Sequence, residues 1–203
     1  ATKLARDEAD LWDSGKVASG ESVCVTYAGP PLRSRECVWW KVRVWDAAGK
    51  SSTFSEPAWF ETALLSPADW RAQWIQRNST RPIPEAQLFD DHPAPLFRKE
   101  FVLKKRIARA RAYVSGLGYY ELRLNGGKVG DHVLDPGWTS YAKRVLYSTY
   151  DVTAQLKRGQ NALGLLLGNG WFNPLPLRMW GHINPRAALT IGDANALVDP
   201  LRA

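Results

Sequence analysis

Cysteine is nearly absent: Cys24 and Cys37 are the only two in 203 residues. Two thiols cannot build a disulfide framework or a cysteine-based metal site. Both lie in runs with alternating apolar residues, Val23-Val25-Tyr27 and Val38-Trp40-Val42-Val44. Those apolar positions are expected to face inward, so the thiols are expected on the opposite faces, free. The three histidines, His92, His132 and His182, lie far apart without ligand spacing, which argues against zinc. No Ser or Cys stands in an elbow context, so a nucleophile triad is not indicated. Gly116-Leu117-Gly118 is followed by neither a helical pattern nor a Lys-Ser/Thr pair, and reads as a turn rather than a nucleotide loop. Long apolar runs are missing too. The longest, Ala162–Leu167, is interrupted by Gly164 and falls far short of the roughly 18–20 residues of a membrane-spanning helix. Ala1-Thr2-Lys3-Leu4 has no signal-peptide apolar stretch and no initial Met, so a processed chain or a fragment is expected.

What is plentiful is tryptophan and proline, 10 and 13 residues, against one Met. Aromatic side chains suit a pleated, half-buried surface, so this balance favours an all-β fold over a helical bundle. An apolar content of 45% excludes disorder as the main state. The net charge of +7 is uneven: residues 1–62 carry 8 basic against 9 acidic side chains, and residues 63–203 carry 19 against 11. Within Arg98–Arg111, seven basic residues face only Glu100. No nucleic-acid module signature accompanies that stripe. It reads as a solvated strand face or a docking surface for an acidic neighbouring domain, with neither nucleic acid nor membrane expected as partner.

Turn chemistry at Asp13-Ser14-Gly15, Ala28-Gly29-Pro30-Pro31 and Asp46-Ala47-Ala48-Gly49-Lys50 separates short candidate strands at Ser22–Tyr27, Val38–Asp46 and Glu56–Thr62. Residues 1–62 are therefore read as a partial fibronectin type III-like sandwich, with a Trp-rich core (Trp39, Trp40, Trp45, Trp59) open on one side. Residues 63–95 form a Pro-rich connector, expected to be extended and tethered by Trp70 and Trp74. Asn78-Ser79-Thr80 within it fits the N-glycosylation pattern. From residue 96 to 203 the strand signal returns, at Phe97–Leu103, Ala108–Val114, Tyr119–Leu124, Val129–Leu134, Val145–Tyr150 and Ala162–Leu167. Asn125-Gly126-Gly127 is the strongest hairpin signal, because both turn positions need positive φ. This half is read as a jelly-roll-like antiparallel β-sandwich that still owes its last strand.

Carboxylate pairs for glycoside hydrolysis could in principle come from Asp131, Asp135 and Asp151. Asp135 precedes Pro136-Gly137 and Asp151 precedes Val152-Thr153, so capping of backbone amides is the preferred reading. The stretch from Leu167 to Gly181 is more informative, with Gly and Pro breakers, two Trp, two Asn and an Arg. Indole faces stack on sugar C–H faces, and Asn and Arg give directional hydrogen bonds. The expected contacts, to carbohydrate or to a neighbouring domain, are Trp138, Tyr141, Asn169, Trp171, Asn173, Arg178 and Trp180. Plugging of the sandwich end or domain docking by Trp171 and Trp180 is preferred to direct sugar contact. In the sugar-binding case, Trp138, Tyr141, Trp171 and Trp180 would form the platform.

Several stretches resemble the amino-terminal region of bacterial α-L-rhamnosidases. They are Asp10-Leu11-Trp12-Asp13-Ser14-Gly15-Lys16-Val17, Trp40-Lys41-Val42-Arg43-Val44-Trp45-Asp46 and Pro95-Leu96-Phe97-Arg98-Lys99-Glu100-Phe101, in order. Gly116-Leu117-Gly118-Tyr119-Tyr120-Glu121-Leu122, Leu134-Asp135-Pro136-Gly137-Trp138-Thr139 and Leu167-Gly168-Asn169-Gly170-Trp171 follow. The resemblance implies a fibronectin-like module, then a rhamnosidase N-terminal β-sandwich, with a catalytic (α/α)-barrel later in the same polypeptide. It also implies hydrolysis of terminal α-L-rhamnosides with inversion and rhamnose-containing glycans as partners. No catalytic residue can be assigned here, so the chain alone is expected to be inactive. Calcium accompanies a rhamnose-binding sandwich in some relatives, but no ligand for it matches in this sequence. The alternative reading is a free-standing rhamnose-binding module. The compartment stays open.

Overall fold

A computed structural model describes residues 2–77, 84–87, 89–90, 92–176 and 185–202. The chain divides into two units between Trp70 and Arg71. Among the described residues no helix is long and apolar enough to cross a membrane.

In the first unit, β1 (Cys37–Trp40) pairs antiparallel with β2 (Ala58–Glu61), setting Val38 opposite Phe60 and Trp39 opposite Trp59. A bridge between Trp45 and Ser51 closes the Asp46–Lys50 turn, where Gly49 takes φ +81. Ser22–Tyr27 is not a strand, and Cys24 within it has φ +57, outside the extended region. The inward orientation expected for Val23, Val25, Val42 and Val44 is also corrected, because all four are exposed and only Val38 in these runs is buried. Trp39, Trp40 and Trp59 are each 40–52% exposed. Cys24 is an exposed free thiol and Cys37 a half-buried one.

Polar and cation–π contacts organise much of this unit. Thr62 Oγ1 accepts from the Glu36 amide at 2.8 Å and donates to the Arg33 carbonyl. Ser66 caps the short 3-10 turn Pro67–Asp69 in a capping box, and Asp69 also accepts from Ser34 Oγ at 2.5 Å. The Arg43 guanidinium lies 5.1 Å from the Trp45 ring and 4.7 Å from the Phe54 ring.

The second unit contributes β3 (Ile75–Gln76), β4 (Leu96–Leu103), β5 (Arg111–Leu117), β6 (Tyr119–Leu124) and β7 (Gly127–Lys128). β8 (Tyr147–Asp151), β9 (Gly159–Gly168) and β10 (Asn195–Arg202) complete it. They form two four-stranded antiparallel sheets, β3-β10-β5-β8 and β4-β9-β6-β7. This is the antiparallel sandwich expected of an all-β chain. Its core joins Ala112 and Val114 of β5, Leu122 and Leu124 of β6, Leu165 and Leu167 of β9 and Ala196 of β10. Phe97 and Phe101 of β4 pack against it. Each large side chain removed from water there contributes about 1.5–3 kcal/mol.

The β6–β7 hairpin turns on Asn125 (φ +52) and Gly126 (φ +88), as its sequence requires. Val129–Leu134, expected as a strand, is irregular: Gly130 has φ +70 and lies against the Tyr150 ring, where a Cβ would sit 2.6 Å away. The expected break at Ser115–Gly118 shrinks to Gly118, since β5 runs through Leu117. Two strands arise where none was expected. Ile75–Gln76, in the Pro-rich stretch, pairs with β10, and β10 itself lies between β3 and β5. The β10–β5 register shifts between Asp199 and Arg202, around Pro200, which has no N–H to give the ladder.

The strand directions give this sandwich two distinct ends. Leu103 of β4 pairs with Gly159 of β9, so Lys104, Lys105 and Arg106 emerge beside Lys157 and Arg158, all exposed. At the opposite end, Tyr119 pairs with Gly168 and Leu117 with Asn195. There the Gly116–Tyr120, Leu134–Trp138 and Leu167–Trp171 stretches converge.

Candidate functional site

Glycine lets the loops of that second end approach. Gly118 has φ +100, and a Cβ on it would fall 2.3 Å from the Gly168 carbonyl oxygen. Gly170 lies against Gly118 in turn, at a distance where a Cβ would meet its backbone at 3.1 Å. The chain therefore rises from β9 into the Asn169–Asn173 turn, which closes with Asn173 N donating to Asn169 O at 3.0 Å. Trp171 projects from that turn and stacks on Trp138, with ring centroids 5.0 Å apart and planes at 21°. Phe172 points the other way into the unit and meets Tyr141 edge-on at 5.4 Å.

Trp138 is placed by the residues just before it. The Asp135 backbone carbonyl accepts from Tyr120 N at 2.9 Å, and its carboxylate Oδ2 gathers side-chain donors. His132 Nδ1 lies at 2.8 Å, Ser148 Oγ at 2.9 Å and Tyr120 OH at 3.4 Å, and Tyr150 OH also donates. Burial pushes the Asp135 carboxyl up, but the hydrogen bonds from Tyr150, His132 and Ser148 outweigh it and hold the group below its ordinary value. The same hydrogen bond raises His132, and burial raises Tyr120 and Tyr150. Asp135 is thus a side-chain hub, not the cap of backbone amides expected from its neighbours. Asp151 does cap one: its Oδ1 accepts from Thr153 N at 3.0 Å.

Of the seven expected contact residues, Trp138, Tyr141, Asn169, Trp171 and Asn173 meet at this end. Arg178 and Trp180 lie outside the described residues, as do His182 and the Asn78-Ser79-Thr80 pattern. Trp138 and Trp171 cover one face of each other, so they do not present two separate platforms. The Tyr141 hydroxyl is buried, with no hydrogen-bond partner among the described residues, and does not face solvent.

Beside the indole pair, an open cleft runs between the His92–Pro95 segment and the Asn169–Leu175 turn, with Arg77 and Asp193 also lining it. Asn173 is fixed there, since Arg186 Nη1 donates to its Oδ1 at 2.8 Å and to the Pro174 carbonyl at 2.6 Å. Asn173 Nδ2 in turn donates to Asn169 Oδ1 at 3.3 Å. Sequence reasoning missed Arg77, His92, Asp193 and Arg186. Only the breaker-rich context of 92–95 hinted that this segment borders a loop site. Among the described residues no group of three or more His, Cys, Asp or Glu is arranged to hold a metal ion. The basic stripe is dispersed: Arg98 pairs with Glu100 and Arg111 with Asp151, each at 2.6 Å, Lys99 is exposed along β4, and Lys104, Lys105 and Arg106 fall at the opposite end of the sandwich.

Two family models match this chain. Residues 105–191 match the α-L-rhamnosidase N-terminal domain, and residues 2–66 match the Rha78A-like N-terminal immunoglobulin domain. The latter is described as immunoglobulin where the sequence suggested fibronectin type III; the two share the sandwich architecture. An α-L-rhamnosidase of Formosa agariphila is 42% identical over 184 residues, covering 84% of this chain and 19% of that protein. The solved α-L-rhamnosidase from Dictyoglumus thermophilum superposes with a TM-score of 0.79 at 35% identity, over 100% of this chain and 23% of that one. The native Aspergillus terreus enzyme gives 0.73 at 34% identity, over 89% and 20%. The chain spans about a fifth of the length of three curated α-L-rhamnosidases it matches.

Proposed function

As this chain belongs to the α-L-rhamnosidase family through its amino-terminal domains, we propose that it is the non-catalytic accessory region of a longer α-L-rhamnosidase. In this reading its two β-units support an (α/α)-barrel in the same polypeptide. The barrel carries the acid and base that cleave terminal α-L-rhamnosides with inversion. The observation that carries the reading is the pair of consecutive N-terminal-domain matches in a chain that spans a fifth of its relatives.

The test is incubation of the pure 203-residue chain with an aryl α-L-rhamnoside, beside the longer protein. The expected result is turnover by the longer protein alone, with the β-anomer of rhamnose released first. Sustained turnover by the 203-residue chain would overturn the accessory role. Initial release of the α-anomer by the longer protein would overturn inversion.

A further inference from the structure

We propose that the cleft between His92–Pro95 and Asn169–Leu175 is a binding site for a single pyranose unit of a saccharide. The inference goes beyond the accessory role, and nothing in it depends on where hydrolysis occurs.

The cleft's chemistry is that of polyol recognition. Asn169 and Asn173 each carry an amide donor and a carbonyl acceptor, Arg77 is a donor and Asp193 an acceptor. A sugar hydroxyl both donates and accepts, so this mixed set matches vicinal hydroxyls better than it matches an anion or an apolar chain. Pro93, Pro95, Pro174 and Leu175 supply apolar surface for the C–H face of a ring. A concave site with mainly apolar lining and a few convergent polar groups is the usual form of a small-molecule site.

The polar groups are also held in place, which limits the ordering cost of binding. Arg186 fixes Asn173, and Asn173 holds Asn169 from both backbone and side chain. Asn169 Nδ2 donates to nothing among the described residues, and the residue is exposed. The floor is backbone of β9, Leu167 and Gly168, where Leu167 N donates to Pro95 O at 3.0 Å and ties the two walls together. Neither stacked indole lines the cleft, although Trp171 rises from the turn that forms one of its walls.

Titration of the 203-residue chain with methyl α-L-rhamnopyranoside, followed by ligand-observed NMR and calorimetry, tests the site. L-rhamnose, D-galactose and D-glucose are run beside it, rhamnose being chosen on the accessory reading. Saturable binding in the millimolar range is expected for at least one sugar. Asn169→Ala should weaken it about tenfold, the equivalent of one well-placed hydrogen bond. Lys157→Ala, at the opposite end of the sandwich, should leave it within about twofold. Near-UV circular dichroism checks that both variants fold, and Asn169→Asp, which keeps the shape and loses the donor, serves if Asn169→Ala does not. The site is overturned if none of the four sugars binds saturably, or if binding survives the Asn169 variants. Loss of binding in Lys157→Ala alone overturns it too, by moving the contact to the basic end of the sandwich. Because no variant is read through hydrolysis, failure here leaves the accessory reading standing, and failure of that reading leaves this one.

Discussion

The two units use the same apolar alphabet to different effect. In the second unit alternation along β6 and β9 converts into burial, with Leu122, Leu165 and Leu167 all but inaccessible, and β5 is buried on both faces. In the first unit comparable alternation leaves Val23, Val25, Val42 and Val44 exposed. Alternation states which residues share a face of a strand; it does not state that another layer covers the face. The second unit has eight strands in two facing sheets, whereas the first has one two-stranded pair and a bridge among its described residues. A hairpin without a second layer has little apolar burial to offset its ordering entropy. What orders the first unit instead is a set of side-chain contacts to turns and rings.

The sharpest way to break this contrast is a cavity in the second core. Leu165 is 1% exposed at the centre of β9, between β4 and β6. Leu165→Ala should destabilise the second unit by about 2–5 kcal/mol, the cost of lost transfer energy plus a residual cavity. Hydrogen exchange should show lost protection across β5, β6 and β9, with the amides of β1 and β2 changed little. Equal loss in both units would mean that they unfold as one.

A smaller effect is expected at the Asp135 hub. Asp135→Asn keeps the volume but removes the charge that Tyr150, His132 and Ser148 donate to, a loss of about 1–3 kcal/mol. Its pH signature separates it from a packing defect. Asp135 is held below its ordinary 3.8, so its contribution is present above that value and is lost as pH falls through the lower folded value. His132 is raised above 6.5, so its contribution is full below 6.5 and lost as pH rises through the higher folded value. Thermal unfolding of the chain should therefore be best between about pH 4 and 6.5 as far as this pair is concerned, and Asp135→Asn should flatten both limbs. Limbs unchanged in the variant would show that other groups set the profile.

This hub also marks where sequence reasoning stops. The Asn125-Gly126 turn is legible because two adjacent residues demand a conformation that few others accept. The β9 run is legible because Leu163, Leu165 and Leu167 repeat at the strand period. The Asp135 donors come from residues 3, 13 and 15 positions away, on β6, β8 and an irregular loop. No local pattern encodes that meeting, and the neighbouring Pro136-Gly137 suggests a turn cap instead. β10 hides for a similar reason: Asp199 and Pro200 look like loop residues, yet Asp199 is buried and accepts from Arg71 N at 2.9 Å. The convergence of the Gly118, Trp138 and Trp171 stretches at one end was legible only as three separate motifs. The cleft beside them depends on Arg77, His92 and Asp193, which share no motif, and becomes visible only when the two sheets bring the ends of β3, β4 and β10 to one end of the sandwich.

The smallest expected effect sharpens the other side of the contrast, in the first unit. Arg43 spreads its guanidinium over Trp45 and Phe54, while Lys41 Nζ sits 4.3 Å from the Phe54 ring and donates to the Leu4 carbonyl and to Asp7. A cation over a ring at an exposed site is worth about 0.5–1 kcal/mol, and guanidinium stacking is not reproduced by an ammonium. Arg43→Gln should therefore destabilise the first unit by about 1 kcal/mol, and Arg43→Lys by roughly half as much. Neither should shift the unfolding of the second unit, whose core contains no cation–ring pair among its described residues. If cation–ring contacts substitute for the missing apolar layer, Arg43→Gln should loosen hydrogen exchange at Val42, Val44 and Ser55 amides first. The first and last of these bridge the turn through Ser55: Ser55 N donates to Val42 O at 2.8 Å, and Val42 N donates to Ser55 Oγ at 3.1 Å. Unchanged exchange there would assign the order of this unit to its backbone turns rather than to its ring contacts.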